Sequence, residues 1–532
     1  METNKIKILR EIVLKSLVGV CMICSPAFAQ TVNINPSIEH QTIRGFGGMN
    51  APGWIADLTS AQVDTAFGNG DGQLGLSIMR MRIDPNSNNW GIQVPAAVRA
   101  KSHGAILLAS PWSPPAYMKT NNNLNNGGKL RPEYYGAYTD HLLSFTNYMA
   151  ANNASVYALS IQNEPDWHPN YESAEWSATD FVNYLLSQGS RFGSLKVVAP
   201  ESLNFNPALS DPFLNNATTA QHVDIIGGQL YGRAPRDYPL ARSKGKELWM
   251  TEHYTESQNS ANAWPLALDV GTELHQSMVA NFNAYIWWYI RRSYGLLTED
   301  GAISKRGYLM AQYSKFVRPG YVRIAATEQP LTGVFVTAYK GPDNRVVVIA
   351  VNTTTSHRNL NLNLQNVNVG QFVKYSTSAS LNLGYGGRTS VAGNSASVWV
   401  DPQSVATFVS EAGSGSSSSV SSTSSSRSSV AVSSQASSQP SSSASSAGGG
   451  VTASVEISND WGSGYCANLL VNNNTNAPVT WNVSVTVQGT VNNLWNGSWS
   501  QSGSTLTVAG VGWNSQLQPG QTESSVGFCA SR

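Results

Sequence analysis

The chain has 532 residues, of which 41% are hydrophobic and only 12% charged, about half the charged share of an average soluble protein. That is too apolar for global disorder, and the length predicts two or three domains, each able to bury a core. With 33 basic against 32 acidic side chains the formal charge is +1, which argues against nucleic acid or an anionic membrane as a partner. What is abundant is aromatic: 15 Trp, 21 Tyr and 14 Phe. Low charge with many rings suits neutral polyhydroxylated ligands, whose C–H faces stack on rings while their hydroxyls take hydrogen bonds.

Residues 1–29 read as a secretory signal peptide. Lys5, Lys7, Arg10 and Lys15 precede an apolar run through Leu17, Val18, Val20, Met22 and Ile23, and Ala27-Phe28-Ala29 is a small-x-small cleavage site before Gln30. Its removal leaves 29 basic against 30 acidic side chains, so the charge argument survives. Val20 precedes Cys21 and Ile23 precedes Cys24, which does not fit a lipoprotein anchor. The expectation is a secreted, extracellular monomer with no membrane span.

From residue 30 to about 315, eight apolar runs of strand length alternate with helical stretches: TIRGFGG, LSIMRMRID, GAILLASPW, VYALSIQNEP, LKVVAPES, VDIIGGQLYG, ELWMTEH and NAYIWWYIRR. Nearly continuous apolar strands between helices are the pattern of a parallel sheet covered on its outside, and eight units predict a (β/α)8 TIM barrel over residues 45–315. Residues 316–412 read as a fused side β-sandwich, through VFVTAYK, RVVVIAVNT, FVKYSTS, ASVWVD and SVATFVS, with residues 30–44 as its N-terminal strand. Between 413 and 450, 21 of 38 residues are Ser, a composition that cannot form a core. This linker spans about 31 to 37 Å as a Gly/Ser coil. It leads to a separate all-β module at 451–532.

Reactive groups of such barrels sit at the C-terminal ends of strands, so polar residues closing apolar runs are the candidates. Glu164 closes the fourth run directly after Asn163, and Glu252 closes the seventh. Glycosidic hydrolysis needs one carboxylic acid to protonate the leaving oxygen and one carboxylate at the oxocarbenium-like carbon; a separation of about 5 to 5.5 Å predicts a nucleophile and retained configuration. The plainer reading of either Glu alone is a rim salt bridge.

Other chemistries find little support. Residues 30–412 contain no Cys, and no His-x-x-x-His pair occurs, so neither a metal nor any other cofactor is expected. Gly70-Asp71-Gly72-Gln73-Leu74-Gly75 fits G-x-G-x-x-G but precedes a strand instead of following one, which predicts a plain loop. No G-x-S-x-G occurs. The bases of KRGYLMAQYSKFVRPGY are too few for a nucleic-acid stripe and read as braces between the last barrel helix and the side domain.

The strings SPWSPPAYMK, IQNEPDW, WMTEHY, WWYIRRSYG and KRGYLMAQYSKFVRPGYVRI closely resemble the glucuronoxylanases of glycoside hydrolase family 30. The resemblance implies endo-cleavage of β-1,4-xylan carrying glucuronic or methylglucuronic acid branches. It implies Glu164 as acid/base, Glu252 as nucleophile, Asn163 on the sugar 2-hydroxyl and Tyr231 on the nucleophile. Trp112, Trp167, Tyr171 and Trp288 are the implied walls of the xylose subsites, with Trp287 in the core. Arg292, Tyr294, Tyr254 and Ser257 are the implied readers of the branch; a guanidinium fork suits a carboxylate, although an Arg in such a string is also a common rim ion pair. Two alternatives remain: a family member indifferent to the uronate, and a non-catalytic wall-binding protein.

Residues 451–532 hold five Trp but only four charged side chains, Glu456, Asp460, Glu523 and Arg532, so rings beyond those needed inside are expected at the surface. NDWGSGY, NNLWNGSW, VGWNSQLQPG and VGFC resemble the family 2 carbohydrate-binding modules. That resemblance implies a cellulose-binding face of Trp461, Trp495 and Trp513 and a core Trp481, and leaves Trp499 unassigned. Cys466 and Cys529 are expected to pair, as the two cysteines left after signal cleavage in an oxidising compartment.

Overall fold

The computed structural model describes residues 29–255, 260–411, 445–447, 450–460, 462–511 and 514–532. The signal peptide short of Ala29, nearly all of the Ser-rich linker, Ser257, Trp461 and Trp513 fall outside the described residues. Strand β1 (Gln30–Thr42) leads into eight parallel strands that close into a barrel. They are β2 (Gly45–Asn50), β3 (Ile78–Ile83), β4 (Ile106–Pro111), β5 (Ala158–Ser160), β6 (Lys196–Ser202), β7 (Ile225–Gln229), β8 (Glu247–Glu252) and β9 (Ala284–Tyr289). Seven fall within one of the eight apolar runs and β2 runs two residues past its own, and each is followed by a helix, from Ser60–Phe67 after β2 to Lys305–Ser314 after β9.

The strands are mainly apolar because both faces are covered. Inside, Ile78, Leu108, Ala158, Val198, Ile225, Trp249, Ala284 and Ile286 form a closed plug. Outside, strand residues such as Met79, Leu107, Leu159 and Val197 pack in one core with helix residues such as Phe67, Leu142, Phe181 and Leu274. The plug fills the barrel below its mouth, so polar chemistry is confined to the strand C-termini.

The side domain adds β10 (Val322–Ala326), β11 (Val334–Lys340), β12 (Val346–Asn352), β13 (Arg358–Leu364), β14 (Gln371–Thr377), β15 (Gly384–Ser390), β16 (Ser395–Val400) and β17 (Ser404–Glu411). Its strand order is β15-β14-β17-β12-β11-β10-β1-β13-β16, and Val348 and Phe408 meet Leu360 and Val398 in one core. β1 pairs antiparallel with β10 and parallel with β13. Three strands have no counterpart in the sequence reading. β13 (RNLNLNL) alternates cleanly but carries Asn at every outward position and β15 (GYGGRTS) is glycine-rich, so both score poorly on β-propensity while pairing well, and β10 (VRIAA) is short.

The bases near the end of the barrel do brace it. Lys315 Nζ donates to the carbonyls of Asn69 (3.2 Å), Gly70 (2.8 Å) and Gln73 (3.1 Å), gripping the GDGQLG loop ahead of β3. Lys305 Nζ reaches the Ser378 carbonyl in the side domain at 2.8 Å.

In the C-terminal module, strands Val451–Asp460, Gly464–Asn473, Thr522–Ser531 and Thr490–Trp495 form one sheet, and Asn482–Thr486, Thr505–Gly510 and Gly497–Ser502 another. Leu469, Val471, Val483, Leu506, Val508 and Phe528 fill the space between, with Trp481 buried and its Nε1 donating to the Asn514 carbonyl at 2.6 Å. Cys466 and Cys529 stand directly opposite each other on neighbouring antiparallel strands and are disulfide-bonded. Trp495 and Trp499 are 39% and 40% exposed. Among the described residues, no helix is long and apolar enough to cross a membrane.

Candidate active site

At the barrel mouth, Glu252 is the last residue of β8, as the run ELWMTEH predicts. Glu164 differs from its expected place: β5 stops at Ser160, and Glu164 lies four residues beyond it. The main chain there is held from three sides, by Ile161 N to Val198 O (3.1 Å), Asn163 N to Pro111 O (2.9 Å) and Glu164 N to Glu201 O (3.0 Å). Glu164 itself takes a left-handed φ of 46°, a conformation that costs about 1 to 3 kcal/mol in a side-chain-bearing residue and persists only where neighbours impose it.

The two carboxylates meet different surroundings. Glu252 Oε2 accepts from Arg80 Nη1 at 2.5 Å and Oε1 from the Tyr231 hydroxyl at 2.9 Å. Glu164 has one long contact, the Tyr171 hydroxyl at 3.4 Å from Oε2. Burial and the negative charge of Glu252 push the Glu164 carboxyl well above its ordinary value, against a partial pull from Arg80. Burial also raises Glu252, but Arg80's charge and the hydrogen bonds of Arg80 and Tyr231 counter it. Both carboxyls are pushed up, and Glu164, the less supported of the two, is pushed further and holds a proton more readily.

Arg80 is the centre of the mouth. It lies on β3 with no exposed surface; Nη2 donates to Asn163 Oδ1 (2.6 Å) and pairs with Glu201 Oε1 (3.1 Å), and Nε donates to Ser110 Oγ (3.3 Å). Asn163 Oδ1 also accepts from Gln229 Nε2 at 2.8 Å. Two donors on the same oxygen settle the amide's orientation and turn its buried Nδ2, which has no protein partner, the other way.

Glu164 and Glu252 line one cleft of about 800 Å³ together with Trp112, Trp167, Tyr171, Tyr231, Tyr254 and Trp288. Trp167 and Tyr171 are 45% and 48% exposed at its edge. Trp112 is nearly buried, 4.9 Å edge-on from Trp54, with the Arg80 guanidinium 4.7 Å from its ring. Trp287, next to Trp288, is fully buried in the core. Tyr254 stacks on Tyr294 at 4.7 Å, and Arg292 stands beside them with its guanidinium 5.8 Å from the ring of Tyr289, which also lines the cleft. Arg292 Nη1 is 3.4 Å from Glu299 Oε1, both side chains being exposed.

Four residues that shape this site escaped the sequence reading: Arg80, Glu201, Gln229 and Trp54. A signal existed for three of them. Glu201 and Gln229 lie at the C-terminal ends of β6 and β7, where the rule that selects Glu164 and Glu252 also points, and Arg80 is one of two charges, with Arg82, in the otherwise apolar IMRMRI. Trp54 sits in the loop after β2, over the Arg82 guanidinium at 4.8 Å, and nothing local marks it. Among the described residues, no group of His, Cys, Asp and Glu could hold a metal ion.

Residues 71–182 match the glycosyl hydrolase family 30 TIM-barrel domain, 320–408 the glycosyl hydrolase family 30 beta sandwich domain, and 451–532 the cellulose binding domain. The chain is 47% identical over 391 residues to Glucuronoxylanase XynC of Bacillus subtilis (strain 168), covering 72% of this chain and 92% of that one. Among solved structures it resembles the glycoside hydrolase family 30 subfamily 8 xylanase Xyn30A from Clostridium acetobutylicum, with a TM-score of 0.68, 42% identity, and coverage of 72% of this chain and 100% of that one. A GH30 endoxylanase from Clostridium papyrosolvens C71 follows at a TM-score of 0.66 and 36% identity, with the same coverage. With an eight-stranded barrel, a fused β-sandwich and this level of identity, the chain belongs to glycosyl hydrolase family 30 and carries a cellulose binding domain at its C-terminal end.

Proposed function

We propose that this family 30 xylanase is a secreted, retaining endo-β-1,4-xylanase that cuts glucuronoxylan at positions set by its uronic acid branches. The observation that carries the chemistry is the contrast between Glu252, gripped by Arg80 and Tyr231, and Glu164, whose carboxyl burial and its neighbour's charge push well above its ordinary value. Glu252 attacks the anomeric carbon while Glu164 gives its proton to the departing glycosidic oxygen. Glu164, now ionised, takes a proton from water, whose oxygen displaces Glu252 and restores both groups. Asn163 Nδ2 donates to the 2-hydroxyl of the sugar at that carbon, and its lack of any protein partner supports this role.

The choice of branched substrate rests on the similarity to a glucuronoxylanase and on the group formed by Arg292, Tyr254 and Tyr294 beside the cleft, with Ser257 as the fourth member implied by sequence. Mass spectrometry of products from methylglucuronoxylan, beside a digest of arabinoxylan free of uronic acid, tests it. Products each bearing one uronate near the reducing end, with arabinoxylan intact, are expected; short neutral oligosaccharides from both polymers reject branch reading. The Arg292–Glu299 pair favours a second reading, in which Arg292 only closes an ion pair at the rim and the enzyme ignores branches.

Two more outcomes follow from the same reading. Turnover falls as pH drops through the Glu252 value, which removes the anion, and as pH rises through the Glu164 value, which removes the acid. Burial raises both groups, so the active window lies above the ordinary carboxylate range, as a pH profile of kcat/KM will show. Deleting residues 413–532 abolishes cellulose pull-down and leaves hydrolysis of soluble xylan near its full rate, because the tether acts by raising local concentration and not on the chemistry.

A further inference from the structure

Glu201 is a buried carboxylate to which the mechanism above gives no part. It lies near the end of β6 with no exposed surface and a left-handed φ of 53°. The β6–β7 pairing slips at this point: Pro200 faces Gly227 and Ser202 faces Gly228, so Glu201 is an extra residue bulged out of the ladder. Bulges re-aim side chains, and this one turns Glu201 across the barrel. Gly227 makes room for it, since a Cβ there would stand 2.9 Å from Glu201 Cγ and 2.6 Å from Val198 Cγ1.

From that position Glu201 touches both halves of the site. Its Oε1 pairs with Arg80 Nη2 at 3.1 Å, and the same guanidinium holds Glu252 through Nη1 at 2.5 Å. Its main-chain carbonyl accepts from Glu164 N at 3.0 Å, at the residue whose left-handed backbone needs outside support. Its other oxygen, Oε2, is buried with no protein partner. A strained, desolvated carboxylate with half its hydrogen-bonding capacity unmet is costly to keep for stability alone.

We propose that Glu201 is a positioning residue for the hydrolysis: by its side chain it holds Arg80 against Glu252, and by its carbonyl it fixes Glu164, so one bulged residue sets the placement of both carboxylates. The proposal rests on the roles given above to Glu164 and Glu252. Glu201 also adds a negative charge to the surroundings of Glu164, which is faced by Glu252 from β8, Arg80 from β3, Asp166 from its own loop, and the Tyr171 and Tyr231 hydroxyls. Without that charge Glu164 ionises more readily, and Arg80, released from one of its two anions, pulls harder on Glu252.

The test is the full-length Glu201→Gln enzyme on methylglucuronoxylan, with kcat and KM followed across pH. Misplacement predicts a loss of about tenfold to a hundredfold in kcat with KM nearly unchanged. Both limbs of the pH profile are expected to move to lower pH, the basic limb by about one unit. A loss equal at every pH with unmoved limbs, or wild-type kcat, overturns the proposal. Glu201→Asp keeps the charge and draws it back from Arg80; it is expected to lose kcat while retaining most of the wild-type profile. If the Gln variant does not fold, wild-type kcat in the Asp variant overturns the proposal. Glu252→Gln and Glu164→Ala are measured in parallel. If either keeps turnover, the reading of the site falls and this proposal with it; if both lose it while Glu201→Gln behaves as wild type, only the role of Glu201 falls.

Discussion

Glu252→Gln loses about 10⁴-fold or more in kcat on glucuronoxylan, equivalent to about 5.5 kcal/mol or more of transition-state stabilisation. The substitution is nearly isosteric. Its carbonyl oxygen can still accept from one of the two donors that now hold the carboxylate, Arg80 and Tyr231. What it removes is the anion: a neutral amide neither bonds to the anomeric carbon nor faces the charge that develops there. Xylan binding, measured by isothermal titration, is expected to survive, because the stacking walls Trp167, Tyr171 and Trp288 are untouched. Glu164→Ala gives the complementary result. It slows turnover of substrates with poor leaving groups, and azide restores the second step by attacking the glycosyl-enzyme in place of activated water, yielding a product of retained configuration. Full turnover by Glu252→Gln would take the nucleophile's role away from Glu252.

Arg292→Ala lowers kcat/KM on glucuronoxylan by about a hundredfold and leaves undecorated xylan within about twofold. A two-point guanidinium–carboxylate contact shielded by bound substrate is worth about 3 kcal/mol, whereas the exposed Arg292–Glu299 pair it replaces contributes about 0 to 1 kcal/mol. The difference between those figures allows the branch to displace Glu299. Glu299→Gln then raises activity on the branched polymer modestly, since the fork is freed in advance. Equal losses on both polymers for Arg292→Ala would mean that Arg292 holds the rim beside Tyr289 and Tyr294 and reads nothing.

The sequence by itself determined the barrel, because eight buried strands leave a period that needs no partner to recognise: ELWMTEH and NAYIWWYIRR are apolar on both faces for lack of any solvent-facing side. It also determined which side chains could react, since a carboxylate closing such a run lies at the barrel mouth. The surplus of Trp over charge in the last 82 residues marked a ring-rich surface in the same way, and Trp495 and Trp499 are exposed. Only the tertiary structure decided how the two carboxylates differ. Glu164 and Glu252 look alike in sequence, and their carboxyls are pushed up to different extents because Arg80, 172 residues before Glu252 in the chain, is hydrogen-bonded to one of them. The bulge that carries Glu201 and the loop that brings Trp54 over Arg82 were likewise settled in three dimensions. So were β10 and β13, which flank β1 from the far N-terminal end of the domain, and β15, which is carried by pairing with β14. Periodicity reports burial, a property each segment carries with it; the charge state of a buried group depends on which other groups the fold brings within a few ångströms.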